Sequence, residues 1–203
     1  MRPSQPSSEM DRIMKMETLI LLLTIGLVIG GIAAYMKISP AKSTLQVTGD
    51  EAKFPVVSGF NLNRQELVFP RDFKGNLNLV IVPFQQSQQT VVNTWIPFAQ
   101  KMELDVPGFM YYELPTIYEM PSFSRTFINE GMRAGIPNEA TRARTITLYV
   151  DKQAFRKALE IDNEQNIWLY LFDKSGNVLW RIEGRLTKEK GEALRNVIDQ
   201  NRQ

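Results

Sequence analysis

Nineteen consecutive residues, Thr18 to Met36 (TLILLLTIGLVIGGIAAYM), carry no charge. As a helix this run extends about 28 Å, close to the ~30 Å hydrocarbon core of a bilayer. Gly26, Gly30 and Gly31 would weaken a helix in water but are common in spanning ones, and Tyr35 stands where an interfacial aromatic would. A cleaved signal peptide has a shorter apolar stretch followed at once by a small-x-small site. Here the nearest such triplet, Ser39-Pro40-Ala41, is displaced and contains proline. A buried helix of a soluble protein is seldom apolar all round over this length. The run is therefore expected to be an uncleaved, single-pass membrane anchor. Residues 1–17 form a Pro/Ser-rich disordered tail, 37–54 a linker and 55–203 the soluble domain. Arg2, Arg12 and Lys15 on one side balance Lys37, Lys42 and Lys53 on the other. Flanking charge thus leaves the side of the membrane open, with extracytoplasmic placement as the working expectation. Gly26-x-x-x-Gly30 has a spacing that can pair helices, so self-association through Gly26 and Gly30 is a further expectation.

The chain has no cysteine and no histidine. Without Cys it has no disulfide, thiol nucleophile, dithiol chemistry or iron–sulfur ligation. Without His it has no Ser-His-Asp triad, no imidazole metal ligand and no proton shuttle titrating near neutrality. Up to Lys37 there are four basic and three acidic residues, which leaves 20 and 19 of the 24 and 22 in the whole chain. No basic block marks a nucleic-acid surface, so nucleic acid is excluded as a partner. Asp72, Glu103, Asp105, Glu113 and Glu119 are scattered, without the paired spacing of a glycosidase or metal site. There is no phosphate-binding Gly-rich motif. No catalytic residue, metal or cofactor is expected.

Beyond the linker, apolar runs alternate between strand and helix periods. Glu66–Pro70 contains a short strand, and Leu79-Val80-Ile81-Val82 is a continuous β-branched run of the kind buried on both faces. Ser87 to Glu103 reads as a helix with Val91, Val92, Trp95, Ala99 and Met102 on one face, kinked at Pro97. Phe109–Leu114 is a strand closed by Pro115, so one of Tyr111 and Tyr112 should be exposed. Ser122 to Met132 is a helix with Phe123, Phe127 and Ile128 on one side. Thr145–Val150 is a strand and Lys152–Leu159 a helix. Ile167–Phe172 and Val178–Ile182 form a hairpin around Asp173-Lys174-Ser175-Gly176-Asn177. A last helix starts near Thr187, a good capping residue. Trp95, Trp168 and Trp180 fall on the apolar pattern as core. The order β-β-α-β-α-β-α-β-β-α predicts one mixed-sheet α/β domain with parallel crossovers and an antiparallel edge hairpin.

A buried strand, a long Pro-containing helix, a hairpin with Asp-Lys-x-Gly at its turn and a terminal helix together resemble a thioredoxin-like fold. Leu169–Gly184 (LYLFDKSGNVLWRIEG) is similar to the hairpin of membrane-tethered redoxins, and Tyr149–Ile161 resembles the insert before it. The resemblance implies that Ser87 and Thr90 stand near the two Cys positions of an active redoxin. It also implies a Pro before the hairpin, which Glu164–Ile167 lacks. The resemblance therefore carries the fold and not the thiol activity. Gly59–Pro70, Leu79–Gln89, Gly131–Asp151 and the hairpin also resemble the mitochondrial F-type ATP synthase assembly-factor family and its bacterial relatives. That likeness implies a membrane-associated protein that helps assemble a membrane subunit of the rotary ATPase.

Two groups of residues are candidates for binding. Gln85, Gln86, Ser87, Gln88 and Gln89 sit where a strand's C-terminal end meets a helix start, a place where ligands of open α/β sheets bind. The competing reading is a solvated helix start that uses polar residues as caps. Arg125, Arg133, Arg142 and Arg144 could take an acidic partner patch, lipid head group or small anion. The competing reading is internal pairing with Glu130, Glu139 or Asp151. The expected function is a redox-inactive, membrane-anchored protein that binds a membrane protein subunit during assembly. The alternative is a Cys-free enzyme or small-molecule carrier using a cleft near Gln85–Gln89 and Arg144.

Overall fold

The computed structural model describes residues 53–202; the predicted tail, anchor and nearly all of the linker lie outside the described residues. The elements are β1 (Val57–Asn61), β2 (Glu66–Phe69), β3 (Leu77–Val82), α1 (Gln89–Asp105), β4 (Phe109–Glu113) and β5 (Thr116–Tyr118). They continue with α2 (Ser122–Gly135), α3 (Glu139–Arg144), β6 (Ile146–Val150), α4 (Lys152–Ala158), β7 (Trp168–Asp173), β8 (Val178–Glu183) and α5 (Lys188–Asn201).

Two four-stranded sheets replace the single sheet expected, in the orders β4-β3-β7-β8 and β2-β1-β6-β5. The division falls at Pro115, which has no N–H to donate to a ladder. Before it, β4 runs parallel to β3; after it, β5 runs parallel to β6. A bridge between Glu113 and Thr145 joins the sheets, and the Leu148 N–H donates to the Pro115 carbonyl at 2.9 Å. Antiparallel pairing also reaches further than expected. β7 lies beside β3 in the middle of its sheet, and of the two hairpin strands β8 alone is an edge.

All six residues of β3 are buried, as its unbroken apolar run predicts. On one side of this sheet, α1 and α5 bring Trp95, Met102, Leu194 and Ile198 against Leu79, Ile81 and Leu171. On the other, an aromatic cluster includes Phe69, Phe73, Tyr112, Phe155 and Phe172. Phe54, the last residue of the predicted linker, lies in this cluster with its ring 5.1 Å from that of Phe172. Tyr111 and Tyr112 are both buried, against expectation, because β4 has a packed layer on each face. Trp95 and Trp168 are core as predicted, while Trp180 is half-buried, 6.5 Å from Trp95.

The hairpin turn forms where its sequence says. Asp173 Oδ1 accepts from the Ser175 and Asn177 N–H groups, both at 2.8 Å, and Gly176 supplies the left-handed φ of 83°. Thr187 caps α5 by accepting from the Lys190 N–H.

Helix α2 starts where predicted and runs on to Gly135, with Phe123 and Phe127 facing away from the sheet and Ile128 half-buried. Its inner side is polar. Arg125 lies over the Tyr149 ring and donates to the Met120 carbonyl at 2.6 Å; Asn129 Oδ1 meets the Tyr149 hydroxyl at 2.9 Å; Arg133 donates to the Leu62 carbonyl at 2.8 Å. Phe123 and Phe127 point outward. The reason lies in β6, which gives its apolar face, Ile146, Leu148 and Val150, to the aromatic core. Thr147 and Tyr149 are left for α2 to cover.

Candidate functional site

The carboxyl end of β3, the start of α1, the end of β4 and the start of α4 converge at one end of the sheet. After β3 the chain turns through Pro83, whose carbonyl accepts from the Thr116 N–H at 2.9 Å. A single 3-10 turn at Gln86–Gln88 then leads into α1. The buried Gln88 ties this corner together. Its Oε1 accepts from the Phe84 N–H at 2.8 Å, and its Nε2 donates to the Glu164 carbonyl at 2.7 Å. Gln85 reaches the same carbonyl at 3.5 Å, so residue 164 stands against the start of α1. This is the stretch in which an active redoxin would carry proline.

Beneath lies an ion pair. Lys152, at the start of α4, is only 4% exposed, and its Nζ meets Glu164 Oε2. The ammonium also faces the rings of Tyr118 at 4.4 Å and Phe84 at 5.2 Å. Arg156 adds a second cation 3.6 Å from Glu164. Glu113, 6% exposed at the end of β4, is the other ionisable group here. Burial pushes its carboxyl up to about 7, with the neighbouring Gln89 amide opposing the rise. The lack of histidine removes an imidazole from this pH range; desolvation brings the Glu113 carboxyl into it.

The exposed residues at the α1 start are Gln85, Gln86, Ser87, Gln89 and Thr90, and Tyr118, 63% exposed, flanks them over Lys152. The Ser87 hydroxyl donates to Gln85 Oε1 at 3.4 Å, and Gln89 Nε2 donates to Asn93 Oδ1 at 3.1 Å. The surface is thus a set of amides and hydroxyls beside one exposed aromatic ring, over a buried Lys–Glu pair and a buried carboxyl.

Arg133, Arg142 and Arg144 do not join it, and Arg125 is engaged by the Tyr149 ring and the Met120 carbonyl. Arg144 pairs with Glu103 at 2.6 Å and covers the Tyr111 ring. Glu103 lies fourteen residues along α1 from Gln89, about 21 Å at the helical rise. The expected cleft between the Gln run and Arg144 is therefore not formed. Arg142 donates to Asn63 Oδ1 and to the Ile136 and Pro137 carbonyls, and with Arg133 it braces the β1–β2 turn. The expected carboxylate partners are engaged elsewhere: Glu130 with Arg64 at 3.0 Å, and Asp151 with the first N–H groups of α4.

Gln88 stands in the expected Gln row, but its burial was not expected, and Lys152 was missed, because neither residue type at those spacings announces burial. Glu113 was seen only as one of several scattered carboxylates. The Asp151–Lys152 start of α4 is legible as a cap, but nothing in the sequence places it under Phe84. Replacing Gln88 by Ala leaves the Phe84 N–H without its acceptor. The expected cost is about 1–3 kcal/mol in urea unfolding, and an unchanged midpoint would show that Gln88 does not hold this corner.

No family model matches the chain, and no curated protein does. Solved structures do. BsSco, of the Sco family of cytochrome c oxidase assembly proteins, is 12% identical, with a TM-score of 0.50 over 77% of this chain and 98% of its own. A protein of Aquifex aeolicus VF5 assigned to electron transport is 9% identical, with a TM-score of 0.53 over 75% of this chain and 98% of its own. The fold is thioredoxin-like. A third neighbour, described as a DsbE-type thiol:disulfide interchange protein from Chlorobium tepidum, is 15% identical, with a TM-score of 0.48 over 79% of this chain and all of its own. At these identities the likeness concerns the fold alone.

Proposed function

We propose that this chain is a redox-inactive, thioredoxin-like protein, anchored through Thr18–Met36, that binds other proteins during assembly or maturation of a membrane complex, with ATP synthase as its specific client. The observation that carries the reading is the composition of the α1 start. By the redoxin resemblance, Gln85-Gln86-Ser87-Gln88-Gln89-Thr90 takes the place of the reactive pair, in a chain without cysteine. What remains there is an exposed row of amide and hydroxyl groups that can both donate and accept, suited to another chain's backbone. BsSco, described as belonging to a family of assembly proteins, supports this kind of work for the fold by analogy. The alternative, a Cys-free enzyme or small-molecule or anion binder, has less support, since Arg144 is paired with Glu103 far along α1 and Arg133 and Arg142 brace the β1–β2 turn.

The test is in-cell photocrosslinking from Gln86 and Thr90, followed by mass spectrometry. A dominant adduct with a membrane subunit of one complex is expected from both positions. Adducts with lipid only, or none above background, would overturn the binding reading. Unchanged ATP synthase abundance after deletion of the gene would remove that client while leaving the class of function intact.

A further inference from the structure

We propose that α2 is a membrane-docking helix whose Phe123–Phe127 face lies in the interfacial layer of the bilayer that anchors the chain. The inference rests on the anchor reading of Thr18–Met36. It begins from the inversion of α2. From Ser122 to Ala134 the exposed positions are Ser122, Phe123, Thr126, Phe127, Gly131 and Ala134, and none is charged. A solvated helix face would carry charge, and 23% of this chain is charged. Arg125 and Arg133 are instead bound to carbonyls on the protein side; the charge at the rim of this face is Glu130, with its side chain 44% exposed and neutralised by Arg64 at 3.0 Å. Phe123 is 83% exposed and Phe127, one turn on, 53%.

A third ring flanks them. Phe60 is 50% exposed and stands opposite Thr147, on the sheet face that α2 covers through Met132. Three rings offer at most ~250 Å² each, short of the ~800 Å² per partner that a stable protein interface buries. A tethered bilayer needs much less. Sixteen residues, 37–52, separate the charge-free run from the first described residue, a reach of about 55 Å at full extension. The tether makes docking intramolecular, so a contact too weak to recruit a free protein suffices.

The chain's lack of cysteine makes any introduced thiol unique. The experiment uses the full chain reconstituted alone in phosphatidylcholine–phosphatidylglycerol vesicles, with a nitroxide at Phe123→Cys, Phe127→Cys, Leu104→Cys or Gly26→Cys in turn. Leu104 is exposed on α1 and reports water; Gly26 reports the anchor. Oxygen and a nickel chelate compete as collision partners. Labels at 123 and 127 are expected to favour oxygen severalfold over the label at 104. If they match the label at 104 while the label at 26 is in lipid, docking is wrong and the anchor stands. If 26 reports water but 123 reports lipid, α2 docks without the anchor. Water at all positions overturns both. Spin–spin broadening at 123 would assign the face to a second copy and also overturn the proposal.

Discussion

Lys152→Ala is expected to cost about 3–5 kcal/mol of stability, because it strips a buried carboxylate of its main partner. Lys152 is buried, and Glu164, mostly buried, keeps only Arg156 at 3.6 Å. The loss should reach the functional end of the sheet, since the Glu164 carbonyl is the acceptor that Gln88 uses to hold the start of α1. Urea unfolding of the full chain reads the cost. The decisive comparison is Lys152→Met combined with Glu164→Gln, which removes both charges while keeping most of the volume. The pair should recover most of the stability lost by Lys152→Ala, since neutral replacement of a buried ion pair is often close to neutral. A double variant as unstable as the single one would mean that the lysine acts through packing on Phe84 and Tyr118.

The second large effect is a pH dependence centred on Glu113. Its ordinary value is 4.5 and burial takes it to about 7. Between those values the folded chain holds a proton that the unfolded chain has released, so stability falls as pH rises through the window and levels off above it. The gap corresponds to roughly 3 kcal/mol. Glu113→Gln should therefore raise stability by up to about that amount near pH 8 and leave it little changed near the acid end of the window. Thermal melts of both proteins across the window check this. Parallel curves for the wild type and Glu113→Gln would rule out Glu113 as the titrating group.

Local periodicity made much of the fold legible. The continuous run of β3, the one-sided apolar spacing of α1, the Asp-Lys-Ser-Gly-Asn turn and the Thr187 cap each carry their structure in their own residues. Other elements were hidden for identifiable reasons. β1 (VSGFN) holds a glycine whose added Cβ would meet the Thr147 carbonyl at 2.7 Å, so its strand character comes from close approach to β6 and not from propensity. β5 is three residues long and gains strand form only by pairing with β6. α3 carries its Asn138 cap in the sequence but is too short to show a period.

The candidate binding residues divide in the same way. The exposed Gln row was legible because a strand–helix junction marks such places in advance. The Lys152–Glu164 pair and the titration of Glu113 were not, because burial belongs to the surroundings and not to the residue. The amino-acid sequence by itself determined the absence of thiol chemistry, the charge-free run and the order of those strands and helices that carry their own period. The tertiary structure alone decided the division into two sheets, the outward face of α2 and the separation of the arginines from the Gln row. Each of these depends on which surfaces other elements have already covered. A periodic pattern shows that a helix has an apolar side; which way that side points depends on what its neighbour leaves open, and β6 leaves Thr147 and Tyr149.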